Sequence, residues 1–243
     1  MKGLRKFKAL DRTRHNPAIG SCYGKEAPLN RLLIVGMSHY GGKYVTSPDF
    51  TYHIVEAVIK GERRIPYFTK IARLFRDSDE RPYSPQSFYP CVAFYNFLPD
   101  EFRIRQHVQE DQWLNPDAQK FFFRVLDYVQ PKRVLITGEK LWRALPSCLP
   151  GRNRGRRVRE DGTGLFVPFG GDDRECCWYA VKGSADCLVG AITHPSTRKF
   201  NQHRDEIRRW IQRFMTWTSR VPPTVPGANA QSSSQQPRGE RCR

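Results

Sequence analysis

Four short apolar runs punctuate an otherwise polar chain: RLLIV at 31–35, CVAFYN at 91–96, RVLITG at 133–138 and CLVGAI at 187–192. Each is too short for an ordinary helix. Each is continuous rather than alternating, which suits a strand buried on both faces, as in a parallel sheet. The segments between them carry helical spacing. Phe50, Ile54, Ala57 and Val58 lie on one helix face, and Tyr67, Ile71, Leu74 and Phe75 on another after Pro66. NPDAQKFFFRVLDYVQP predicts a well-marked helix, with Asn115 as its cap, Pro116 in the first turn and Pro131 beyond its end. A short helix is expected over 139–145. RDEIRRWIQRFMTW closes the fold as an amphipathic helix, with Ile207, Trp210, Ile211 and Phe214 inward.

The remaining segments set the boundaries. Residues 1–30 are basic and irregular and read as an N-terminal arm, and 77–90 reads as a Pro-rich loop. Residues 146–165 are rich in Gly and Arg, while GLFVPFG and CCWYAV suit a hairpin or two short extended pieces. From Val221 onward, Pro, Ser, Gln and Arg dominate, and a disordered tail is expected over 220–243. One domain over 31–219 results. The alternation predicts an α/β fold: three α/β/α layers around a central, mostly parallel four-stranded sheet. Ligands of such sheets bind beyond the C-terminal strand ends. Gly36, Asn96, Gly138 and His194 all fall there.

Charge narrows the partners. The 243 residues include 41 Lys plus Arg against 24 Asp plus Glu, a net charge of +17. Such an excess favours polyanions, and DNA is the expected partner. The 7 cysteines are an odd number without a CxxC, so reduced thiols are expected. Cys148, Cys176, Cys177 and Cys187 fit no clean metal template, and no metal or cofactor is called for. The basic start, MKGLRKFKAL, lacks the apolar core of a signal peptide. No run approaches the roughly 18 apolar residues of a membrane span. A cytoplasmic monomer without membrane association is expected.

The strand ends carry the candidate chemistry. In LLIVGMSHYGG, Gly36 lets the backbone turn and approach a ligand, and Ser38, His39 and Tyr40 add polar groups. The stretch is neither GxGxxG nor a phosphate loop ending in GK[ST]. Asn96 offers one acceptor and two donors, suited to the edge of a planar base or to a turn tied to its own backbone. His194, held by Pro195, can donate to an oxyanion developing on a substrate carbonyl, and Ser196 can cap the following turn.

LLIVGMSHYGG, VAFYNFLP, PKRVLITGEKLWRAL and GAITHPS together resemble the uracil-DNA glycosylase superfamily, over roughly residues 30–215. The resemblance implies that Asn96 reads the uracil edge and that His194 stabilises the departing uracil anion. It places Tyr40 where many members carry a Tyr that screens the pocket. It makes 195–200 the loop that enters the DNA minor groove, with Phe200 as a wedge. One departure stands out: Ser38 occupies the place of the family's water-orienting Asp or Asn. A hydroxyl activates water poorly without a base beside it, for which Glu139 and Glu56 are the substitutes. Arg152, Arg154, Arg156, Arg157 and Arg159, with Ser196, Arg198, Lys199 and Arg204, supply a backbone grip for base flipping. The expected function is hydrolysis of the N-glycosidic bond of uracil or another damaged base, with His194, Ser38 and His39 as the catalytic set and Gly36, Tyr40, Asn96 and Gly138 lining the base site. The alternatives are a DNA- or modified-base-binding protein that has lost catalysis, and a hydrolase or transferase acting on a small nucleoside-like molecule.

Overall fold

The apolar runs pair side by side. A computed structural model describes residues 3–5, 10, 16–25, 29–40, 47–77, 79–98, 101–102, 115–145, 176–179, 181–184 and 187–216. Along the chain the elements are β1 (Ala18–Ile19), β2 (Leu32–Gly36), β3 (His39–Tyr40), α1 (Phe50–Lys60), α2 (Pro66–Ala72), α3 (Pro85–Phe88), β4 (Ala93–Asn96), β5 (Glu101–Phe102), α4 (Pro116–Val129), β6 (Arg133–Thr137), α5 (Glu139–Ala144), β7 (Cys176–Tyr179), β8 (Cys187–Ile192), α6 (Arg198–Gln202) and α7 (Arg204–Thr216). The result is a mixed α/β fold around a six-stranded mixed sheet in the order β1-β4-β2-β6-β8-β7. β2 pairs in parallel with β4 and β6, and β6 with β8. β1 and β7 pair antiparallel on the two edges.

The sheet thus has six strands where four were expected. The sequence of β7 suggested an extended piece; β1 gave no such signal, because a two-residue pairing has no periodicity to read. β1 also draws part of the expected N-terminal arm into the domain: Ala18, Ile19, Tyr23 and Leu29 are all buried. The expected 77–90 loop contains α3, whose cap Ser84 exchanges hydrogen bonds with Ser87.

Side-chain alternation along the strands divides the core into two layers. Leu32, Ile34, Phe94, Leu135 and Leu188 pack with Val55, Phe68, Ile71, Ile207, Trp210 and Phe214 from α1, α2 and α7. Leu33, Val35, Tyr95, Val134, Ile136 and Val189 pack on the other face with Phe121, Phe122, Leu126, Leu141 and Trp142 from α4 and α5. Burial on both faces is the physical reason these strands read as unbroken apolar runs. Asn115 caps α4 as its sequence suggests, its Oδ1 accepting from the amides of Asp117 at 2.9 Å and Ala118 at 3.2 Å. Gln130, in left-handed conformation, ends the helix. Among the described residues no helix is long and apolar enough to cross a membrane. Arg152, Arg154, Arg156, Arg157, Arg159, Cys148, the GLFVPFG stretch and the 220–243 tail lie outside the described residues.

Candidate functional site

His194 stands two residues past the end of β8, in a turn closed by four hydrogen bonds. Its carbonyl accepts from the Thr197 amide at 3.0 Å and the Thr197 hydroxyl at 2.8 Å. The same hydroxyl accepts from the Phe200 amide at 3.2 Å and so caps α6. Lys70 of α2 donates to the Pro195 carbonyl at 2.8 Å. The cap is therefore Thr197 rather than Ser196. Ser196 instead serves the imidazole.

The Ser196 amide donates to His194 Nδ1 at 3.2 Å, and the Ser196 Oγ lies 2.6 Å from the same nitrogen. A backbone N–H can only donate, so Nδ1 is an acceptor and carries no proton. The imidazole is then neutral with its proton on Nε2, the tautomer being set by the partners of the other nitrogen. Burial, and then the positive charge of Lys70, hold His194 below the usual imidazole range. His194 is thus a fixed, neutral Nε2–H donor.

Tyr67 of α2 lies against this ring, with centroids 5.5 Å apart and planes at 36°. The buried Thr137 hydroxyl donates to the Val35 carbonyl at 3.0 Å. Its single proton is thereby committed, so Tyr67 is the donor in the 2.7 Å contact between Tyr67 Oη and Thr137 Oγ1. Burial drives the Tyr67 hydroxyl well above the usual phenol range, although the Thr137 hydrogen bond acts in the opposite sense, and it stays protonated. This chain ties α2, β6 and β2 together beneath the imidazole.

Above them opens a cavity of about 350 Å³, near the lower end of small-molecule sites and large enough for one heterocycle. Met37, Thr137, Gly138, Glu139, Lys140, Leu141, Thr193, His194, Ser196, Thr197 and Lys199 line it. Its chemistry is an imidazole donor, one carboxylate, two ammonium groups and an apolar wall. Gly138 has φ of +128°, a conformation side chains rarely adopt, and it brings the start of α5 against the His194 side chain. Glu139 therefore shares a cavity with His194, which the sequence alone did not place. Glu56 does not: its carboxylate faces Lys60 at 3.5 Å and accepts from Tyr52 at 3.4 Å.

Gly36 and Asn96 are not among the lining residues. They are register partners at the ends of β2 and β4, and Asn96 is buried. A methyl at Gly36 would stand 2.3 Å from Asn96 Oδ1 and 3.3 Å from Tyr67 Oη. Asn96 and Tyr67 thus meet over a glycine that must lack a side chain. Gly36→Ala is expected to displace the Asn96 carboxamide and to cost about 1–3 kcal/mol as overpacking. Denaturant titration checks the cost; unchanged stability would mean that Asn96 moves aside freely.

The other expected site residues divide. Ser38 is half-buried, and its Oγ has no hydrogen-bond partner among the described residues. His39 and Tyr40 form β3, whose backbone pairs with Glu101 and Phe102; their side chains lie outside the described part. Arg198, Lys199 and Arg204 are exposed, and Lys199 reaches the cavity. Phe200 is a correction: it is 1% exposed, packed in the core with Lys70 Nζ 5.8 Å from its ring centroid, and cannot act as a wedge. α6 turns this aromatic residue inward while Arg198 and Lys199 face out.

Tyr67, Lys70, Thr137 and Thr197 were missed as site residues. Tyr67 was read as part of an apolar stripe, and its hydroxyl was the only sign of another role. No family model matches the chain, and no curated protein matches it.

Proposed function

We propose that the protein is a DNA glycosylase of the uracil-DNA glycosylase type, which hydrolyses the N-glycosidic bond of uracil or a related damaged base flipped from DNA. The observation that carries this reading is His194: a neutral imidazole with Nδ1 committed to Ser196 and Nε2–H left to donate, beside a base-sized cavity at the strand ends. Water adds to the anomeric carbon, the carbon–nitrogen bond breaks, and its electron pair leaves on the base. The Nε2–H stabilises the resulting anion, and such preorganised donors act strongly in a site shielded from water. Glu139 takes the proton lost by the water, the work the family assigns to the residue at the Ser38 position. Exposed Arg198, Lys199 and Arg204 grip the phosphates next to the cavity. Asn96, buried and outside the cavity lining, carries no role in this reading.

A second reading is a binding protein of the same fold without catalysis. The observation favouring it is Ser38, a hydroxyl with no described partner where a carboxylate or carboxamide would orient water.

The test is strand scission after alkali, on oligonucleotides carrying uracil, hypoxanthine or no lesion, in single- and double-stranded form. Base-specific scission is expected from the wild type. Glu139→Gln should lower its rate by roughly 100-fold or more, the loss typical of a general base. Scission unchanged in Glu139→Gln would remove that residue from the mechanism. Lesion-selective binding without scission of any substrate would favour the second reading.

A further inference from the structure

The opposite end of the sheet holds a second, larger cavity of about 630 Å³. It opens where the parallel strands begin, between the chain entering β2, the chain entering β6, the end of α4 and the N-terminal segment. This is the end of the sheet that the general rule for ligand binding leaves empty, and it is remote in the fold from the His194 turn.

Its lining has a one-sided chemistry. Arg5, Arg31 and Lys132 bring three positive charges, and among the described residues no Asp or Glu lines the cavity. None of the three is ion-paired with a carboxylate among the described residues. Arg5 is anchored, because its Nη2 donates to the Tyr23 carbonyl at 2.6 Å. Arg31 is held with φ of +56°, an unfavourable backbone for a residue with a side chain, and its carbonyl accepts from the Lys132 amide at 3.0 Å. The Arg31 and Lys132 backbones are thus coupled at the mouths of β2 and β6.

Two aromatic residues complete the site. Tyr23 is 6% exposed, and its hydroxyl has no hydrogen-bond partner among the described residues. A buried hydroxyl left unmatched is costly. Burial drives that hydroxyl well above the usual phenol range, against the nearby positive charges of Arg31 and Arg5. Tyr128, 40% exposed, also lines the cavity.

We propose that this cavity binds a nucleoside 5′-phosphate, with Arg5, Arg31 and Lys132 receiving the phosphates and Tyr128 stacking against the base. Guanidinium groups suit phosphate oxygens through paired N–H donors, and Lys132 adds a point charge. The volume exceeds what a lone inorganic phosphate needs, and the exposed ring gives a platform for an aromatic heterocycle. The site is independent of the His194 cavity and of the function proposed for it.

The experiment is calorimetric titration of the full-length protein with ADP, pyrophosphate, adenosine and a single-stranded oligonucleotide, all at one ionic strength. ADP is expected to bind at least tenfold more tightly than pyrophosphate or adenosine. Arg31→Gly removes the guanidinium while tolerating the positive φ, and Lys132→Gln and Tyr128→Ala alter exposed positions where folding is not at stake. Each of Arg31→Gly and Lys132→Gln should weaken ADP at least tenfold. Tyr128→Ala should weaken ADP and leave pyrophosphate unchanged. His194→Ala should leave ADP binding intact. Absence of ADP binding, equal affinity for pyrophosphate, loss of binding in His194→Ala, retention in Lys132→Gln, or binding of the oligonucleotide alone would each overturn the proposal.

Discussion

His194→Ala is expected to slow base release by about 100- to 1,000-fold, the usual consequence of deleting one preorganised donor to a developing anion. The imidazole is half-buried, and its polar partners are both supplied by Ser196, so removal leaves the core intact. Thermal stability close to wild type is therefore expected alongside the lost rate. His194→Gln should recover part of the activity, since a carboxamide N–H can still donate. A variant that excises uracil within threefold of wild type would end the leaving-group assignment.

The same residue sets a pH dependence. Its folded-state pKa is depressed by burial and by Lys70. The unfolded chain, with an ordinary histidine near about 6.5, therefore takes up this proton first as pH falls. The side chain adds no pH dependence to stability above that value. Stability is lost as pH drops from there through the depressed folded pKa. Urea titrations at neutral and mildly acidic pH should show a larger acid-induced loss for wild type than for His194→Gln. Equal losses would show that the imidazole ionises as readily folded as unfolded. Below the folded pKa, Nδ1 gains a proton that faces the Ser196 N–H, and the turn holding the donor loosens, so activity should fall there as well.

Trp210→Ala is expected to cost about 3–5 kcal/mol, the range for deleting a large buried aromatic side chain. For a domain whose whole stability is on the order of 5–15 kcal/mol, that is a large share. Trp210 is fully buried and stacks on Phe214 with centroids 5.0 Å apart and planes at 11°. Its ring lies over Gly190, where an added methyl would meet it at 2.6 Å. The absence of a side chain at Gly190 is what lets α7 lie directly on β8, the strand that ends at the His194 turn. Gly190→Ala alone should destabilise by overpacking, while in the Trp210→Ala background the methyl enters the vacated space and its cost shrinks to the remaining 3.0 Å approach to Phe214. Additive losses in that double-mutant cycle, measured by denaturant unfolding, would show that the two positions are not in contact.

Much of the architecture was legible because burial leaves a local trace. The runs at 31–35, 91–96, 133–138 and 187–192 are apolar without alternation since both of their faces are covered, and they became β2, β4, β6 and β8. Asn115 and Pro116 announce the start of α4 through side-chain and ring chemistry that acts within one turn. Ile207, Trp210, Ile211 and Phe214 are spaced for one helix face, and all four are buried in α7. That His194 follows a buried strand was visible for the same reason.

That strand ends gather at one edge was legible, but which polar side chains meet there was not, because that depends on register and packing between segments distant in sequence. Tyr67 and Thr137 share a hydrogen bond across 70 positions, and Thr137 and Val35 one across 102. No periodicity encodes either. Glu139 enters the His194 cavity only because β6 lies beside β8 and Gly138 turns the chain back at the strand end. Phe200 looked like a solvent-facing wedge among basic residues, until the one-turn helix α6 rotated it into the core. Ser196 and Thr197 are adjacent and chemically alike, and only the fold of the turn gave the imidazole to one and the helix cap to the other. Local composition thus determined which segments are buried and in what form. The tertiary structure alone decided which polar groups meet, since a hydrogen bond needs two partners within about 3 Å and the chain order specifies only one of them at a time.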